Sequence, residues 1–352
     1  MNIWLPYLET GSGTDVYTRT LADALKACGH NAVHAPFSRR WQYFPWPLRF
    51  SSAPAGTEVI LANTWNGFAF RREGCKLVVV EHHCVLTPAY SPYRNTFQAL
   101  FHEWLVRGFE KASLKAADAI VAVSTYTARS LRSALGGPWP EIIFNGIDTD
   151  FFCPHAPSDP ATQGDRDGGL RPFGLLFVGN LSRRKGADLL PDIMAKLGPG
   201  FELRYTLGMR GGDPFSRLPG MTPLGRLSRT ELRNAYRQAD ALLFPTRFEG
   251  FGYAAAEAMA CGTPVIASAC SSLPELVEDR VTGKLCPVDD TDAFVAAIRA
   301  LAADRDELHA MGERARSAAV DKFALDRWAK EYLAVFTAAS EAAKRFPTRE
   351  TT

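Results

Sequence analysis

Residues 241–267 read ALLFPTRFEGFGYAAAEAMACGTPVIA, and they predict a strand, a turn, a helix and a second strand in that order. The four apolar residues at the start suit a short buried strand. The turn contains Gly250 and Gly252, and the apolar run Tyr253–Ala260 reads as a helix that the next glycine ends. The strand Pro264–Ala267 follows directly. A strand–helix–strand unit of this kind indicates a parallel sheet covered by helices.

The same alternation of short apolar runs and longer stretches of helical period occupies nearly the whole chain, which predicts an α/β fold. The predicted strands form two sets, at Asn2–Pro6, Glu58–Ala62, Lys76–Glu81 and Ala119–Val123, and at Phe173–Val178, Glu202–Leu207, Asp240–Phe244 and Pro264–Ala267. Between the sets, residues 153–172 are rich in proline and glycine. The chain has 352 residues, and single cores stop growing at about 250–300. We therefore predict two domains, 1–155 and 173–325, joined by a linker at 156–172.

The composition is that of an ordinary globular protein and restricts the class of function. The charges nearly balance, with 40 basic and 38 acidic residues, and a net charge of +2 argues against nucleic acid as a partner. The seven cysteines are scattered and form no C-x-x-C pair, so we expect reduced thiols in the cytosol. No apolar run approaches the ~18 residues of a membrane span, and the first residues do not resemble a signal peptide. We expect a cytoplasmic protein, with peripheral attachment to the membrane left open.

Two glutamates mark the helix that follows the glycine turn. Glu249 precedes the helix, and Glu257 lies about 1.5 turns inside it at 3.6 residues per turn. The amides at a helix start attract anions, so the two carboxylates would flank a phosphate-sized site, one near sugar hydroxyls and the other near a ribose diol. The alternative is a solvated carboxylate and a buried one with a structural partner. Because a glutamate in an alanine-rich helix needs a partner when buried, we favour the binding site.

The segment Glu249–Glu257 resembles the E, seven residues, E motif of the retaining glycosyltransferase family 4. Members of this family have the GT-B fold, in which two Rossmann-like domains face each other across a cleft. Other segments extend the resemblance over nearly the whole chain: Ala117-Asp-Ala-Ile-Val-Ala-Val-Ser, Asn145-Gly-Ile-Asp, Ala239-Asp-Ala-Leu-Leu-Phe-Pro, Ser271-Ser-Leu-Pro-Glu-Leu-Val and Thr282-Gly283. The resemblance implies that the first domain binds the acceptor and the second the nucleotide sugar. It also implies a last helix, at about 326–344, that packs back on the first domain.

The resemblance also assigns roles within this motif. In the family the first glutamate contacts the donor sugar, the second holds the ribose, and amides of the glycine turn help to bind the donor. Those roles fall here to Glu249, to Glu257, and to the turn residues Gly250, Phe251, Gly252 and Tyr253.

A second candidate site is the basic turn in Gly179-Asn-Leu-Ser-Arg-Arg-Lys-Gly186, which follows a predicted strand. Its three cations would lie at a helix N-terminus, where the helix dipole disfavours positive charge, and a bound diphosphate would relieve them. The alternative is a solvated basic turn. Family members carry Gly-Arg, a few residues and Lys-Gly here, and this chain has Asn180 in place of the arginine. The resemblance therefore assigns the diphosphate to Lys185, and we transfer the role of the missing arginine to Arg184.

The first predicted strand leads into a turn with Gly11 and Gly13 but without the third glycine of a dinucleotide fingerprint, because position 16 is valine. This argues against a nicotinamide-dependent dehydrogenase, the rival among two-domain α/β enzymes. Family members have a glycine-rich loop here that closes over the donor phosphates, which implies such a role for Gly13. A plain tight turn is the alternative.

His82 and His83 end the predicted strand Lys76–Glu81. Adjacent strand residues point to opposite faces, so only one of the two faces the cleft. The resemblance places a histidine after this strand near the reacting centre, and the register favours His82. A core histidine is the alternative. Because no motif has the spacing of a metal site, we expect no metal and no other cofactor.

Residues 38–50, SRRWQYFPWPLRF, interleave arginines with aromatic residues and show neither a helical nor a strand period. Cations beside amphipathic aromatics suit a membrane interface or an acceptor site that stacks on sugars. A loop packed on the domain is the alternative. We assign the contact with acceptor or membrane to Arg39, Arg40, Trp41 and Trp46.

These features predict a retaining hexosyltransferase with His82, Lys185 and Glu249 as catalytic residues. The donor would be GDP-mannose or a UDP-hexose, and the Ser-Ser-Leu-Pro-Glu run is similar to that of mannosyltransferases using GDP-mannose. The acceptor would be a hydroxyl of a glycan or glycolipid in the synthesis of cell-surface polysaccharide or lipopolysaccharide. Because Asn180 departs from the family pattern, one alternative is a degenerate protein that binds nucleotide sugars without catalysis.

Overall fold

The computed structural model describes residues 1–11, 13–155, 171–207, 212–215 and 217–345, the last four of these by their backbone alone. The chain divides into two compact units. Met1–Gly146 and the residues from Leu325 onward form the first unit, and Ile147–Ala324 form the second. In the described residues each unit has a six-stranded parallel sheet with helices packed on it. The predicted α/β class with two Rossmann-like domains is confirmed.

The first unit contains strands β1–β6 in the sheet order β2-β1-β3-β4-β5-β6, at Asn2–Glu9, Asn31–Ser38, Val59–Asn63, Lys76–Glu81, Ala119–Ala122 and Glu141–Ile142. Helices α1–α4 lie at Gly13–Ala27, Thr96–Phe101, Arg107–Ala116 and Thr125–Leu135, and the π-helical turn His102–Val106 joins α2 to α3. Strands β3 and β4 are almost continuously apolar, because both faces of the sheet are covered. The sequence analysis missed β2, an edge strand in which polar residues interrupt the apolar pattern.

The second unit contains strands β7–β12 in the sheet order β12-β11-β10-β7-β8-β9, at Phe173–Phe177, Phe201–Thr206, Met221–Gly225, Ala241–Phe244, Val265–Ser268 and Gly283–Cys286. Helices α5–α10 lie at Leu190–Leu197, Arg229–Gln238, Tyr253–Ala260, Leu273–Leu276, Thr291–Ala303 and Arg305–Phe323. Because β7 and β10 are neighbours, the segments that follow them start side by side at one edge of the sheet. Ligands of open α/β sheets bind at this carboxyl edge.

The last helix, α11 (Leu325–Arg345), belongs to the first unit. Trp328, Tyr332 and Phe336 recur at every fourth position and are fully buried. Tyr17 of α1 stacks edge-on against Trp328 with ring centroids 5.1 Å apart, and its hydroxyl hydrogen-bonds to that of Tyr332. Gly146 permits the close approach of α11, because a Cβ there would lie 2.3 Å from Trp328 Cε3.

The first unit ends earlier than the predicted residue 155. Residues 147–155 belong to the second unit, where Arg316 donates hydrogen bonds to two of their carbonyl oxygens. The predicted linker at 156–172 lies outside the described residues except for its last two positions. None of the helices in the described ranges combines the length and the apolarity that crossing a bilayer requires.

Candidate active site

The turn between β10 and α7 carries Glu249 and is fixed by the loop after β11. The Glu249 amide donates a hydrogen bond to Ser271 Oγ at 3.0 Å, and the Ser272 hydroxyl donates to Phe251 O at 2.7 Å. Gly252 has a φ of 109°, and a Cβ there would lie 3.1 Å from a leucine side chain of α8. These contacts set the direction in which the Glu249 side chain leaves the turn.

The predicted donor-binding residues Gly250, Phe251, Gly252 and Tyr253 lie together at the start of α7. The N-cap residue of this helix is Gly252, which has no side chain with which to cap it. The Phe251 ring is buried and stacks edge-on against Phe323 with centroids 5.5 Å apart. Its side chain therefore serves the core, and a contact with a donor would come from the backbone.

The basic turn follows β7 and leads into the next helix. Arg183–Lys185 form a short 3-10 turn, a second 3-10 turn lies at Ala187–Leu189, and the α-helix continues from it at Leu190. The turn ends at Gly186 in a left-handed conformation with a φ of 71°. A Cβ at Gly186 would lie 1.9 Å from the carbonyl oxygen of Pro245. The cations are thus positioned by close packing on the loop after β10, just before the helical segment that begins at Ala187.

Lys185, Arg184 and Glu249 meet where these two turns touch. Lys185 Nζ forms a hydrogen-bonded ion pair with Glu249 Oε1, and Arg184 Nη1 lies 3.7 Å from the same oxygen. Arg184 also donates to Phe248 O at 2.7 Å, which holds the guanidinium beside the carboxylate. The side chains of Lys185 and Glu249 are only 16% and 11% exposed, so solvent and salt screen the pair weakly.

Burial and opposite charge act against each other in this cluster. Burial alone would raise the pKa of Glu249, but the positive charges of Lys185 and Arg184 outweigh it and hold that pKa below its usual value. Burial lowers the pKa of Lys185, and the Glu249 carboxylate partly offsets this effect. Two cations therefore face one carboxylate, and the surplus positive charge favours an anionic ligand.

Thr246 is a member of this cluster that the sequence analysis missed. Its Oγ1 lies 3.1 Å from both Glu249 Oε1 and Arg184 O, so the hydroxyl links the two turns. A threonine in a loop has no local pattern that marks such a role, because its partner Arg184 is 62 residues away in sequence.

Glu257 lies on α7 and has a partner that the sequence analysis also missed. The buried Tyr236 of α6 donates its hydroxyl to Glu257 Oε2 at 2.8 Å. Burial raises the pKa of Glu257 to about 7, and the hydrogen bond from Tyr236 only partly offsets this effect. A structural partner is therefore present, as the alternative interpretation required, and the carboxyl group titrates near neutral pH.

Donor affinity is expected to fall as the pH drops through about 7, because protonation removes acceptor capacity from Glu257 if this carboxylate holds the ribose diol. Tyr236→Phe removes a hydrogen bond to the charged form, so it should raise the pKa of Glu257 and move the midpoint of the loss to higher pH. Titration calorimetry of nucleotide-sugar binding across the neutral range measures both midpoints. Glu257→Gln is the control and should show no such midpoint. Identical midpoints in wild type and Tyr236→Phe would contradict the assignment.

The first unit has a small cavity of about 10 Å³, with room for about one water molecule, at the carboxyl ends of β1, β3 and β4. His82 lines it together with Tyr7, Thr14, Tyr17, Thr18, Asn63 and five apolar residues. The His82 ring stacks edge-on against Tyr17 with centroids 4.4 Å apart. Burial and the adjacent His83 lower the pKa of His82 to about 3, so the ring is neutral. His83 is exposed, and its amide donates to Glu81 Oε1 at 3.0 Å. His82, rather than His83, thus faces the cavity.

Gly13 begins α1, but the loop before it is already engaged. The buried Asp15 carboxylate accepts hydrogen bonds from the amides of Thr10 and Gly11 at 3.0 and 2.7 Å. A loop that closes over donor phosphates would need these two amides to turn away from Asp15. The contacts of Thr10 and Gly11 therefore favour the alternative of a tight turn.

The segment 38–50 forms two 3-10 turns, Arg39–Gln42 and Trp46–Phe50, rather than an irregular loop. Arg39 and Arg40 are exposed. Trp41 is half-buried against the core of the first unit, and Trp46 packs edge-on against Phe109 with centroids 5.3 Å apart. Trp41 therefore packs partly against the core, as the alternative of a packed loop implies, whereas Arg39, Arg40 and Trp46 are exposed.

Two family models together match most of the chain. The model described as "Glycosyltransferase Family 4" matches residues 33–151, and the model described as "Glycosyl transferases group 1" matches residues 172–304. Among curated relatives, the D-inositol 3-phosphate glycosyltransferase of Xylanimonas cellulosilytica is 32% identical over 264 residues, which are 68% of this chain and 61% of the relative. That of Geodermatophilus obscurus is 31% identical over 260 residues, 66% of this chain and 55% of the relative. The chain spans about three fifths of the length of these relatives.

Solved structures share the fold at low sequence identity. The sucrose-phosphate synthase of Thermosynechococcus elongatus superimposes with a TM-score of 0.82 and 22% identity, over 97% of this chain and 100% of that one. Anabaena HepE in complex with UDP superimposes with a TM-score of 0.73 and 18% identity, over 96% of this chain and 100% of that one.

Proposed function

The chain belongs to the glycosyltransferases of family 4 and group 1, with the GT-B fold, and from this membership we propose that it transfers a hexose from a nucleotide-diphosphate sugar to an acceptor hydroxyl. The observation that carries the proposal is the cluster of Lys185, Arg184 and Glu249 at the carboxyl edge of the second sheet. It combines a surplus of positive charge for a diphosphate with a carboxylate that accepts hydrogen bonds from sugar hydroxyls.

In the proposed reaction the bond between the anomeric carbon and the diphosphate oxygen breaks, and the acceptor oxygen bonds to the same carbon. The negative charge that develops on the diphosphate would be stabilised by Lys185 and Arg184, and the proton of the acceptor hydroxyl would leave with the diphosphate. Glu249 would position the sugar ring. We propose retention of configuration, with attack from the face that the diphosphate leaves. Membership of the family supports retention, and the pairing of Glu249 with both cations argues against a covalent intermediate on this carboxylate.

Two donors are proposed for first testing. The run Ser271-Ser-Leu-Pro-Glu supports GDP-mannose, and the UDP bound in the similar structure of HepE supports a UDP-hexose. In either case Glu257 would hold the ribose and the start of α7 would lie against the diphosphate.

A thermal-shift screen of nucleotide sugars, followed by hydrolysis and transfer assays, tests the proposal. We expect a nucleotide sugar to raise the Tm and to be hydrolysed slowly in the absence of an acceptor. Activity should survive EDTA, because Lys185 and Arg184 supply the positive charge that a metal ion would otherwise provide. A Tm shift without hydrolysis or transfer would instead favour a non-catalytic protein that binds nucleotide sugars. Recovery of an EDTA-inactivated enzyme with Mn²⁺ or Mg²⁺ alone would overturn the metal-free mechanism.

The acceptor is proposed to be a neutral hydroxyl compound, a glycan or a glycolipid, whose hydroxyl approaches the carboxyl edge of the first sheet, where His82 lines a small cavity. The relatives are named for D-inositol 3-phosphate, a phosphate that cationic side chains would bind best. Among the described residues, the lining of this cavity contains no lysine or arginine, and His82 is neutral. With so low a pKa, His82 would orient the acceptor hydroxyl rather than remove its proton. In the transfer assay, preferential use of D-inositol 3-phosphate over neutral acceptors would contradict this choice.

A lipid-linked acceptor would place the reaction at the inner face of the cytoplasmic membrane, in the synthesis of cell-surface polysaccharide or lipopolysaccharide. The exposed arginines Arg39 and Arg40 support this part of the proposal, because cations attract the protein to anionic lipid.

A further inference from the structure

Exposed apolar side chains are concentrated on one part of the first unit. In the described residues, 14 large hydrophobic side chains are exposed, and eight of them lie in two short segments. We name these eight the aromatic surface: Tyr43, Phe44, Trp46, Phe50, Phe97, Leu100, Trp104 and Leu105. Scattered single residues of this kind are normal on a protein surface, but a cluster of this size marks an interaction site.

The helical part of the aromatic surface is a face that the first unit leaves uncovered. Phe97, Leu100 and Trp104 follow the i, i+3, i+7 spacing of one helix face across α2 and the π-helical turn. Phe97 and Trp104 are 84% and 79% exposed, whereas His102 and Val106 of the same segment are buried. The segment is therefore apolar on its outer face, where a surface helix is ordinarily polar.

The two segments of the aromatic surface are in contact. Tyr43 stacks on Phe101, at the end of α2, with ring centroids 5.1 Å apart. Trp46 packs against Phe44 with ring centroids 4.9 Å apart. The 3-10 turns of residues 39–50 and the helical segment 96–106 thus meet through the contact between Tyr43 and Phe101.

The charge beside the aromatic surface is positive. Arg39, Arg40 and Arg49 are exposed, and none of them forms an ion pair with a carboxylate in the described part of the chain. On the helical segment, Glu103 is already paired with Arg107 through a 2.7 Å contact. The surface therefore offers unpaired cations next to large amphipathic rings.

We propose that the aromatic surface docks on an anionic lipid bilayer, with Phe97, Leu100 and Trp104 inserted at the boundary between headgroups and acyl chains. Arginines would contact the anionic headgroups, and the rings would occupy the interface, where amphipathic helices lie. A second copy of the chain fits less well, because a two-fold interface presents the same patch twice and would bring the arginines of both copies together. The inference deepens the proposed use of a lipid-linked acceptor.

Co-sedimentation of the full chain with vesicles of phosphatidylglycerol and phosphatidylcholine tests this inference. We expect binding at low salt and release at high salt, because the attraction decays over a Debye length of about 10 Å at 0.1 M. Replacing the three arginines 39, 40 and 49 with serine should weaken binding by roughly 100-fold, at about 1 kcal/mol for each cation. The triple change Phe97→Ser, Leu100→Ser and Trp104→Ser should abolish it. Trp41 is left unchanged because its ring packs against the core.

Trp139→Ser is the matched control, because Trp139 is an exposed tryptophan of the same unit that lies outside the aromatic surface. It should bind vesicles as the wild type does. Hydrolysis of the donor by all variants, and their Tm, show whether they are folded. If the proposed function is wrong, the wild type will bind vesicles without hydrolysing a nucleotide sugar. If only the lipid inference is wrong, the wild type will hydrolyse the donor without binding vesicles.

Three results would overturn the inference. One is a wild type that does not bind anionic vesicles at any ionic strength, and another is a triple apolar variant that binds them as well as the wild type does. The third is a wild type that is dimeric by light scattering while the apolar variant is monomeric, which would assign the surface to a second copy of the chain.

Discussion

Lys185→Ala is expected to slow sugar transfer by about 10²–10³-fold in kcat, the usual loss when one donor to a developing oxyanion is removed. The Lys185 ammonium lies in a weakly screened cluster with Glu249, and Arg184 is tied to Phe248 O, so neither water nor the neighbouring cation is placed to replace it. Steady-state kinetics with the donor identified by thermal shift measure the effect. An unchanged kcat/KM would remove Lys185 from the mechanism.

Lys196→Ala is the matched control for this prediction. Lys196 is an exposed lysine of the same unit that forms ion pairs with Asp192 and Asp292 at 2.9 and 2.8 Å. Exposed pairs contribute about 0–1 kcal/mol, so transfer and stability should change little. Equal losses of activity in the two variants would mean that the loss does not come from the active-site cluster.

The stability of the Lys185 variant separates its electrostatic and catalytic roles. Removing one partner of a buried ion pair costs about 3–5 kcal/mol, and Arg184 at 3.7 Å would reduce this loss for Glu249. Adding Glu249→Gln to Lys185→Ala removes the uncompensated charge. We expect the double variant to regain stability in urea unfolding without regaining transfer activity.

Gly186→Ala is expected to destabilise the second unit by about 3–5 kcal/mol and to abolish transfer. The left-handed φ of 71° disfavours any side chain, and the added Cβ would lie 1.9 Å from the carbonyl oxygen of Pro245. The backbone would have to separate the basic turn from the loop after β10, which would part Lys185 from Glu249. Urea unfolding and transfer kinetics measure the two effects.

Gly29→Ala separates the cost of the backbone conformation from the cost of the collision. Gly29 follows the end of α1 with a φ of 83°, where the amide of His30 donates to Leu25 O, and a Cβ there would meet nothing within 4 Å. The variant should lose about 1–2 kcal/mol of stability and keep its activity. If both variants lost the same stability, the close packing of the basic turn on Pro245 would be contradicted.

Much of the second unit was predictable from local pattern. Residues 241–267 encode β10, α7 and β11 through four apolar residues, two glycines and a run of small apolar residues, each acting over a few positions. The start of α5 was not predictable in this way. The sequence after Lys185 continues with helical period, but Gly186 adopts a left-handed conformation where it packs on Pro245, and a 3-10 turn at Ala187–Leu189 precedes the α-helix at Leu190.

The aromatic residues of the first unit also show what a local sequence pattern does not predict. The sequence marked residues 38–50 as rich in arginine and aromatic side chains, but it did not distinguish the ring that enters the core from those that remain exposed. Trp41 packs inward, whereas Tyr43 meets Phe101 of a helix far along the chain. That contact depends on where α2 lies on the sheet, which no local period encodes.

The sequence by itself determined the two-domain α/β fold, the helix between Glu249 and Glu257 and the basic turn at Lys185, because apolar period and turn residues act between close neighbours. Tertiary structure alone decided which of these groups meet. Lys185 and Glu249 are 64 residues apart and form one cluster only because β7 and β10 pair side by side. Tyr236 likewise reaches Glu257 only because α6 and α7 pack together. Strand order and helix packing arise from burial of the whole core, and they set the charges and the pKa values on which the chemistry depends.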